Sequence, residues 1–199
     1  MSTTVKLNSV RLSFPVFWEA KDFEGDGKFQ YQGTFLFPKK GEDGKPSPQA
    51  LLMLAAVKEA CTKKYGEKGE AKFQAYKAAG KIWAVQDGDV KAAEDDAYDA
   101  YAGNYFTRAK NKVRPTVVDR NRAPLSAADG RPYSGCYVNA VVEVYAYDTA
   151  GGGVSCSLLG VQFEKDGDAF GGSTPVKPDA FEDLAVPGSG EVPADGSLF

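Results

Sequence analysis

The chain has 199 residues, a net charge of −3, 43% hydrophobic and 26% charged residues, which fits one domain large enough to bury a proper core, with a tail. No apolar run approaches a bilayer span and no charged-then-apolar leader opens the sequence, so the expected compartment is a cytoplasm. There is no histidine, which excludes Ser-His-Asp and Cys-His nucleophiles and the usual zinc ligand sets, and the three cysteines, Cys61, Cys136 and Cys156, read as reduced thiols rather than a disulfide framework.

In chain order, residues 3–14 alternate and are rich in β-formers, which predicts a first strand. FPVFWEAKDFEGDGK reads as a loop carrying Phe14, Phe17, Trp18 and Phe23. KFQYQGTFLFPK then places Phe29, Tyr31, Phe35 and Phe37 on one face of a strand at period two. Phe35 and Phe37 are expected in the core, whereas Trp18, Phe29 and Tyr31 lie nearer a polar loop. Ser47-Pro48 supplies an N-cap and a first-turn proline for a helix that Gly66 ends, and a second short helix is predicted over EKGEAKFQAYKAAGK. The acidic stretch after Asp87-Gly88-Asp89 reads as loop. GNYFTRAKNK begins another strand, and the proline-punctuated segment 114–135 is loop again. CYVNAVVEVYAYD is the clearest strand, with Val138, Ala140, Val142, Val144 and Ala146 on one face. After the turn TAGGG, GVSCSLLGVQFEKDG forms a last strand with a bulge near Leu159-Gly160, paired with its predecessor as a hairpin. Residues 173–199 are rich in Gly, Pro, Ser and acids and are expected to be a disordered acidic C-terminal tail behind a domain at 1–172. The pattern predicts a mainly β protein with inserted helices, an α+β arrangement built on a small oligonucleotide-binding-type barrel.

Charge is unevenly distributed. Residues 1–103 are neutral, residues 104–131 carry +5 and residues 132–199 carry −8. The basic stretch holds Arg108, Lys110, Lys112, Arg114, Arg120, Arg122 and Arg131 against Asp119 and Asp129, and six of the ten tyrosines lie between 101 and 147. Cations interleaved with flat rings are what a single-stranded nucleic acid needs, since phosphates attract positive charge and unpaired bases stack. The seven cations are therefore candidate phosphate contacts, and Trp18, Tyr31, Tyr105, Tyr133 and Tyr137 are candidate stacking platforms. The competing reading is a solvated basic surface.

Other constellations are weaker. Asp22, Glu24, Asp26 and Gly27 start like a calcium loop, but the twelfth position is Gly33, where a glutamate is required. Asp87, Asp89, Glu94, Asp95 and Asp96 are the candidates for a Mg²⁺-dependent nuclease, the alternative function. No Gly-Lys-Ser/Thr phosphate loop is present, and no cofactor or resident metal is expected. In the tail, Asp195, Leu198 and Phe199 are candidates for docking partner proteins, and the acids for competing with DNA.

At GNYFTRAKNKVRPTVVDRNRAPL, YSGCYVNAVVEVYAY and GVSCSLLGVQFEKDGDAFGG the sequence resembles phage single-stranded-DNA-binding proteins of the oligonucleotide-binding fold. RP at 114–115, VVDR at 117–120 and YSGCY at 133–137 carry the resemblance, with DGD at 87–89 and YQGTFLFPK upstream. It implies a non-enzymatic barrel that coats single-stranded DNA in phage replication or recombination within the host cytoplasm, and an acidic tail ending in an aromatic residue that contacts other replication proteins. A phage interaction module is the third reading.

Overall fold

The computed structural model describes residues 2–170. Seven strands are present: β1 (Ser2–Asp22), β2 (Phe29–Pro38), β3 (Gln86–Asp87), β4 (Asn104–Asn111), β5 (Thr116–Val118), β6 (Tyr137–Tyr147) and β7 (Gly153–Lys165). The helices are α1 (Pro48–Tyr65), α2 (Gly69–Ala78) and α3 (Gly88–Ala92). β1 pairs with β2, β2 with β4, β7 with β6 and β6 with β1, all antiparallel. A parallel bridge between Lys110 and Ser157 joins β4 to β7 and closes the ring. This is the five-stranded barrel of the oligonucleotide-binding fold.

Strict alternation makes the barrel wall. Val138, Ala140, Val142 and Val144 of β6 point inward and are fully buried, while Tyr137, Asn139 and Val141 alternate with them on the outer side. Leu7, Leu12 and Phe17 of β1, Phe35 and Phe37 of β2 and Leu158 of β7 complete the core. α1 packs on β1 and β6 through Met53, Val57, Ala60 and Cys61. Its start is fixed as the sequence predicts: Ser47 Oγ accepts from the Ala50 N–H and Pro48 occupies the first position. The predicted bulge also forms, since the β6–β7 register slips between the Val141–Gly160 and Val142–Leu158 pairs and leaves Leu159 extra.

Three local expectations are corrected. β1 does not stop at residue 14 but runs to Asp22, so the loop shrinks to residues 23–28. Phe14-Pro15 sits in a bulge between the Ser13 and Val16 pairs, and Phe14 takes φ 46° there. An unpaired bulge position tolerates a proline that a ladder position would reject. The acidic stretch is not plain loop: Asp87 and Asp95 accept backbone N–H groups two residues on and start α3 and a 3-10 turn at Asp96–Tyr101. The arginine-rich segment contains β5, which pairs in parallel with β7. The second face of β2 is covered as well. Thr34 and Leu36 are buried there beneath a satellite cluster of Leu36, Tyr101 and Phe106, joined by Ala92, Tyr98 and Phe170.

All three thiols are free and buried. Burial pushes Cys136 up to about 11 and raises Cys61 and Cys156 as well, so none is a thiolate at neutral pH. Among the described residues, no helix is long and apolar enough to cross a membrane.

Candidate nucleic-acid interface

The outer face of β1, β2 and β4 is built from paired positions, because residues directly opposite in a ladder share a face. Ser13, Thr34 and Arg108 form one row across it, and Val16, Gln32 and Lys110 the next. The upper row is a polar floor within an apolar rim. Thr34 Oγ1, Tyr101 Oη and Arg108 Nε are buried there with no well-formed hydrogen bond among the described residues, the Ser13 and Thr34 side chains standing close enough to the Tyr101 phenol only to offset part of the effect of its burial. Unpaired buried polar atoms are uncommon in native proteins and mark places where something else completes them. Burial also holds the Tyr101 phenol above its ordinary range.

Aromatic and cationic groups stand around this floor. The Phe14 ring lies 6.0 Å from Tyr98, and the Lys91 ammonium sits 4.3 Å from the Tyr98 ring centre. Phe14 is 46% exposed because the bulge turns it outward. Toward the other end, Lys110 reaches Glu24 at 3.6 Å and lies 5.5 Å from the Phe23 ring. The Arg114 guanidinium covers Trp18 at 5.3 Å. The 23–28 loop beside them is held by Asp22, whose carboxylate accepts N–H groups from Glu24, Gly25, Asp26 and Gly27. That carboxylate's pKa is lowered chiefly by the Gly27 N–H.

The sequence-derived candidates therefore separate into groups. Arg108 and Lys110 share the outer face of β4, and Lys112 follows beyond the strand end, exposed. Arg114 and Trp18 are together. Tyr137 lies on the outer face of β6, between Arg11 at 5.1 Å and Lys165 at 4.6 Å. Tyr31 is opposite Asn111 at the inward register of β2. Tyr105 also faces inward, 6.4 Å from Phe37 and 5.3 Å from Lys39. Arg120 and Arg122 lie on the β5–β6–β7 side, where Arg122 and Lys6 line a shallow cavity of about 400 Å³. Arg131 pairs with Asp166 at 3.0 Å, and the Tyr133 hydroxyl accepts the Gly167 N–H and has the Asp166 carboxylate and the Gly167 carbonyl as alternative acceptors for its one hydrogen. Asp195, Leu198 and Phe199 lie outside the described residues.

Sequence reasoning missed Phe14, Tyr98, Lys91 and Arg11 as site residues. Arg11 fixes the segment after β7: its Nε donates to the Gly135 carbonyl at 2.8 Å and its Nη2 to that of Asp168 at 2.7 Å. Tyr98 was hidden in an acidic stretch. Phe14 stands where the two-residue alternation of β1 breaks, and that break is the signal that could have found it.

Asp87 and Asp89 do not converge on an open position. Both grip the Lys39 ammonium, at 2.5 and 2.6 Å, and Asp89 also accepts the Gly103 N–H. Among the described residues no group of three or more His, Cys, Asp or Glu could hold a metal ion. The Lys39 hydrogen bond holds the Asp89 carboxyl below its ordinary value of 3.8. A lowered folded-state pKa means that the contribution to stability is in place above 3.8 and is lost as pH falls through the lowered value. In Lys39→Met, a carboxyl NMR titration should move Asp89 back up toward 3.8; an unchanged midpoint would assign the shift to the Gly103 N–H instead.

A closed five-stranded barrel with this strand order and a cationic, aromatic-lined outer face defines an oligonucleotide-binding-fold protein. The sequence matches, over residues 3–190, the family described as Enterobacter phage Enc34, ssDNA-binding protein. It is 45% identical over 185 residues to protein p50 of Acyrthosiphon pisum secondary endosymbiont phage 1, covering 92% of this chain and 94% of that one. The chain belongs to the Enc34 ssDNA-binding protein family. Its fold is shared with the single-stranded DNA-binding protein of bacteriophage Enc34 solved in complex with ssDNA, at a TM-score of 0.65 and 21% identity over 84% of this chain and 89% of that one. It is shared with gp2.5, the single-stranded DNA binding protein of bacteriophage T7, at 0.53 and 16% over 95% and 100%.

Proposed function

We propose that the protein binds single-stranded DNA with little sequence preference along the outer face of β1, β2 and β4, and coats it during phage replication or recombination in the host cytoplasm. The observation that carries this reading is the Ser13–Thr34–Arg108 row, with its unpartnered polar atoms, between the Phe14–Tyr98 rings and the Lys110–Arg114–Trp18 group. Arg108, Lys110, Lys112 and Arg114 take phosphates, while Trp18, Phe14 and Tyr98 stack on bases. Family membership and the ssDNA named for the Enc34 structure support the same reading. Tyr31 and Tyr105 face inward and Arg120 and Arg122 lie on the β5–β6–β7 side, so these candidates stand outside the proposed path. Residues 173–199 form a separate tail whose Asp195, Leu198 and Phe199 dock other replication proteins.

The test is a titration of intrinsic fluorescence with oligo-dT at several salt concentrations. Quenching with a steep salt dependence is expected. Binding that ignores salt, or none, would favour an interaction module, and cleavage of labelled strands in Mg²⁺ a nuclease. Stacking is worth about 1–3 kcal/mol per base, so Phe14→Ala and Tyr98→Ala should each weaken binding roughly 5- to 150-fold. If neither changes affinity, the rings stack only on each other.

A further inference from the structure

A groove of about 650 Å³ opens between α1, α2 and the stretch from Ile82 to Glu94, and it meets the edge of the polar floor at Lys91 and Phe106. Its walls are apolar and unusually exposed: Leu51 is 53% exposed, Leu54 44%, Trp83 48% and Val90 65%. Helix α1 thus has one apolar face on the barrel and a second with no cover among the described residues. Scattered apolar residues on a surface need no explanation, but a contiguous concave set does.

We propose that residues 179–186 of the same chain, Asp-Ala-Phe-Glu-Asp-Leu-Ala-Val, lie in this groove. Three observations point to this occupant. The first is continuity. Phe170, the last described residue, packs against the Leu36–Tyr101–Phe106 cluster, and Phe106 also lines the groove. Nine residue steps separate Phe170 from Asp179 and span at most about 32 Å. The second is charge. Asp179, Glu182 and Asp183 alternate with the segment's apolar residues, while residues 48–81 carry seven lysines against three glutamates. The groove lining itself carries Lys77 and Lys91 against Asp87 and Glu94; Lys91 pairs with Glu94 and Asp87 with Lys39, which leaves Lys77 as the lining charge with no ion pair among the described residues. The third is composition. Phe181, Leu184 and Val186 are large apolar residues close together, and the groove offers Leu51, Leu54, Trp83 and Val90 to receive them. A short tether presents such a segment at an effective concentration on the order of millimolar, so modest contacts suffice. The tail is then anchored at its root on the helical side, and the residues beyond 186 start from there. The inference does not rest on the DNA-binding reading, and its test uses no DNA.

The full chain carrying Trp18→Phe leaves Trp83 as its single tryptophan and reports on the groove. Acrylamide quenching is compared between this protein and two derivatives, Phe181→Ala/Leu184→Ala and Val90→Glu. The first removes the segment's apolar anchors outside the described residues. The second places a like charge in the groove at an exposed site that folding does not depend on. Trp83 is about half exposed in the open groove, so both derivatives should raise its quenching constant about twofold. Equal quenching in all three proteins overturns the proposal, as does a rise in only one derivative. Protection in the parent that fades on dilution also overturns it, because the occupant is then a second copy.

Discussion

Replacing Arg108 and Lys110 together with alanine should weaken oligo-dT binding about 100-fold near 0.1 M salt and flatten its salt dependence. Each phosphate contact on a single strand contributes about −0.7 to the slope of log affinity against log salt, so losing two should reduce its magnitude by about 1.4. The two side chains share the outer face of β4, and the polar atoms of Arg108 sit beside those of Thr34 and Tyr101. Arg108→Lys provides a finer test. It keeps the charge but loses the planar fork, so the slope should hold while affinity still falls, because a guanidinium and an ammonium are not interchangeable where a fork is used. The control is Arg120→Ala/Arg122→Ala, on the β5–β6–β7 side. If that pair changes the slope more than the β4 pair, the strand runs across the other face of the barrel.

Gly135→Ala is expected to be among the most damaging single added methyl groups at the described glycines, costing about 2–4 kcal/mol. Gly135 has φ +103°, and a Cβ there would stand 2.1 Å from the Asp168 carbonyl oxygen and 2.7 Å from the Ala169 Cα. Both neighbours are backbone, so no side chain can swing aside. The segment after β7 must lift, which loosens the Arg11 bond to Asp168 and the Phe170 N–H bond to the Ser134 carbonyl. It also strains the Tyr133 hydroxyl between Asp166 and Gly167. Urea unfolding gives the global cost and hydrogen exchange shows where the loosening begins. Gly130→Ala is the comparison: it has φ +62° but nothing within 4 Å, so its cost should be about 1 kcal/mol. Equal costs for the two would mean that the close approach to Asp168 is harmless.

Much of the barrel was legible because its strands obey a local rule. β6 reads as a strand from Val138 to Ala146 with no knowledge of its neighbours, and Ser47-Pro48 announces α1. What was not legible depends on distant cover. Thr34 looks like an outward polar residue in β2, yet it is fully buried because Tyr101 and Phe106 close over that face. The same holds for the site. The density of cations in 108–131 pointed to β4, whose outer face the proposed reading uses, but spacing alone grouped Arg108 with Arg122, which lines the cavity on the β5–β6–β7 side, and with Arg131, which pairs with Asp166. Phe14 and Tyr98 are more than eighty residues apart in sequence and meet only because β1 bulges where the 3-10 turn passes.

The length of β1 has a consequence for how the protein is made. This first strand is shared by both halves of the barrel, pairing with β2 through its second half and with β6 through its first. At ribosomal speeds of about 5–20 residues per second, Ser2 to Arg11 wait roughly 6–29 s between their own synthesis and that of their partners at 137–145. During that interval the first half of a hydrophobic strand lacks its β6 mate, and β2 pairs only with the second half. Nascent chains stalled before residue 137 should therefore recruit chaperones through their first strand, and chains released past residue 165 should not.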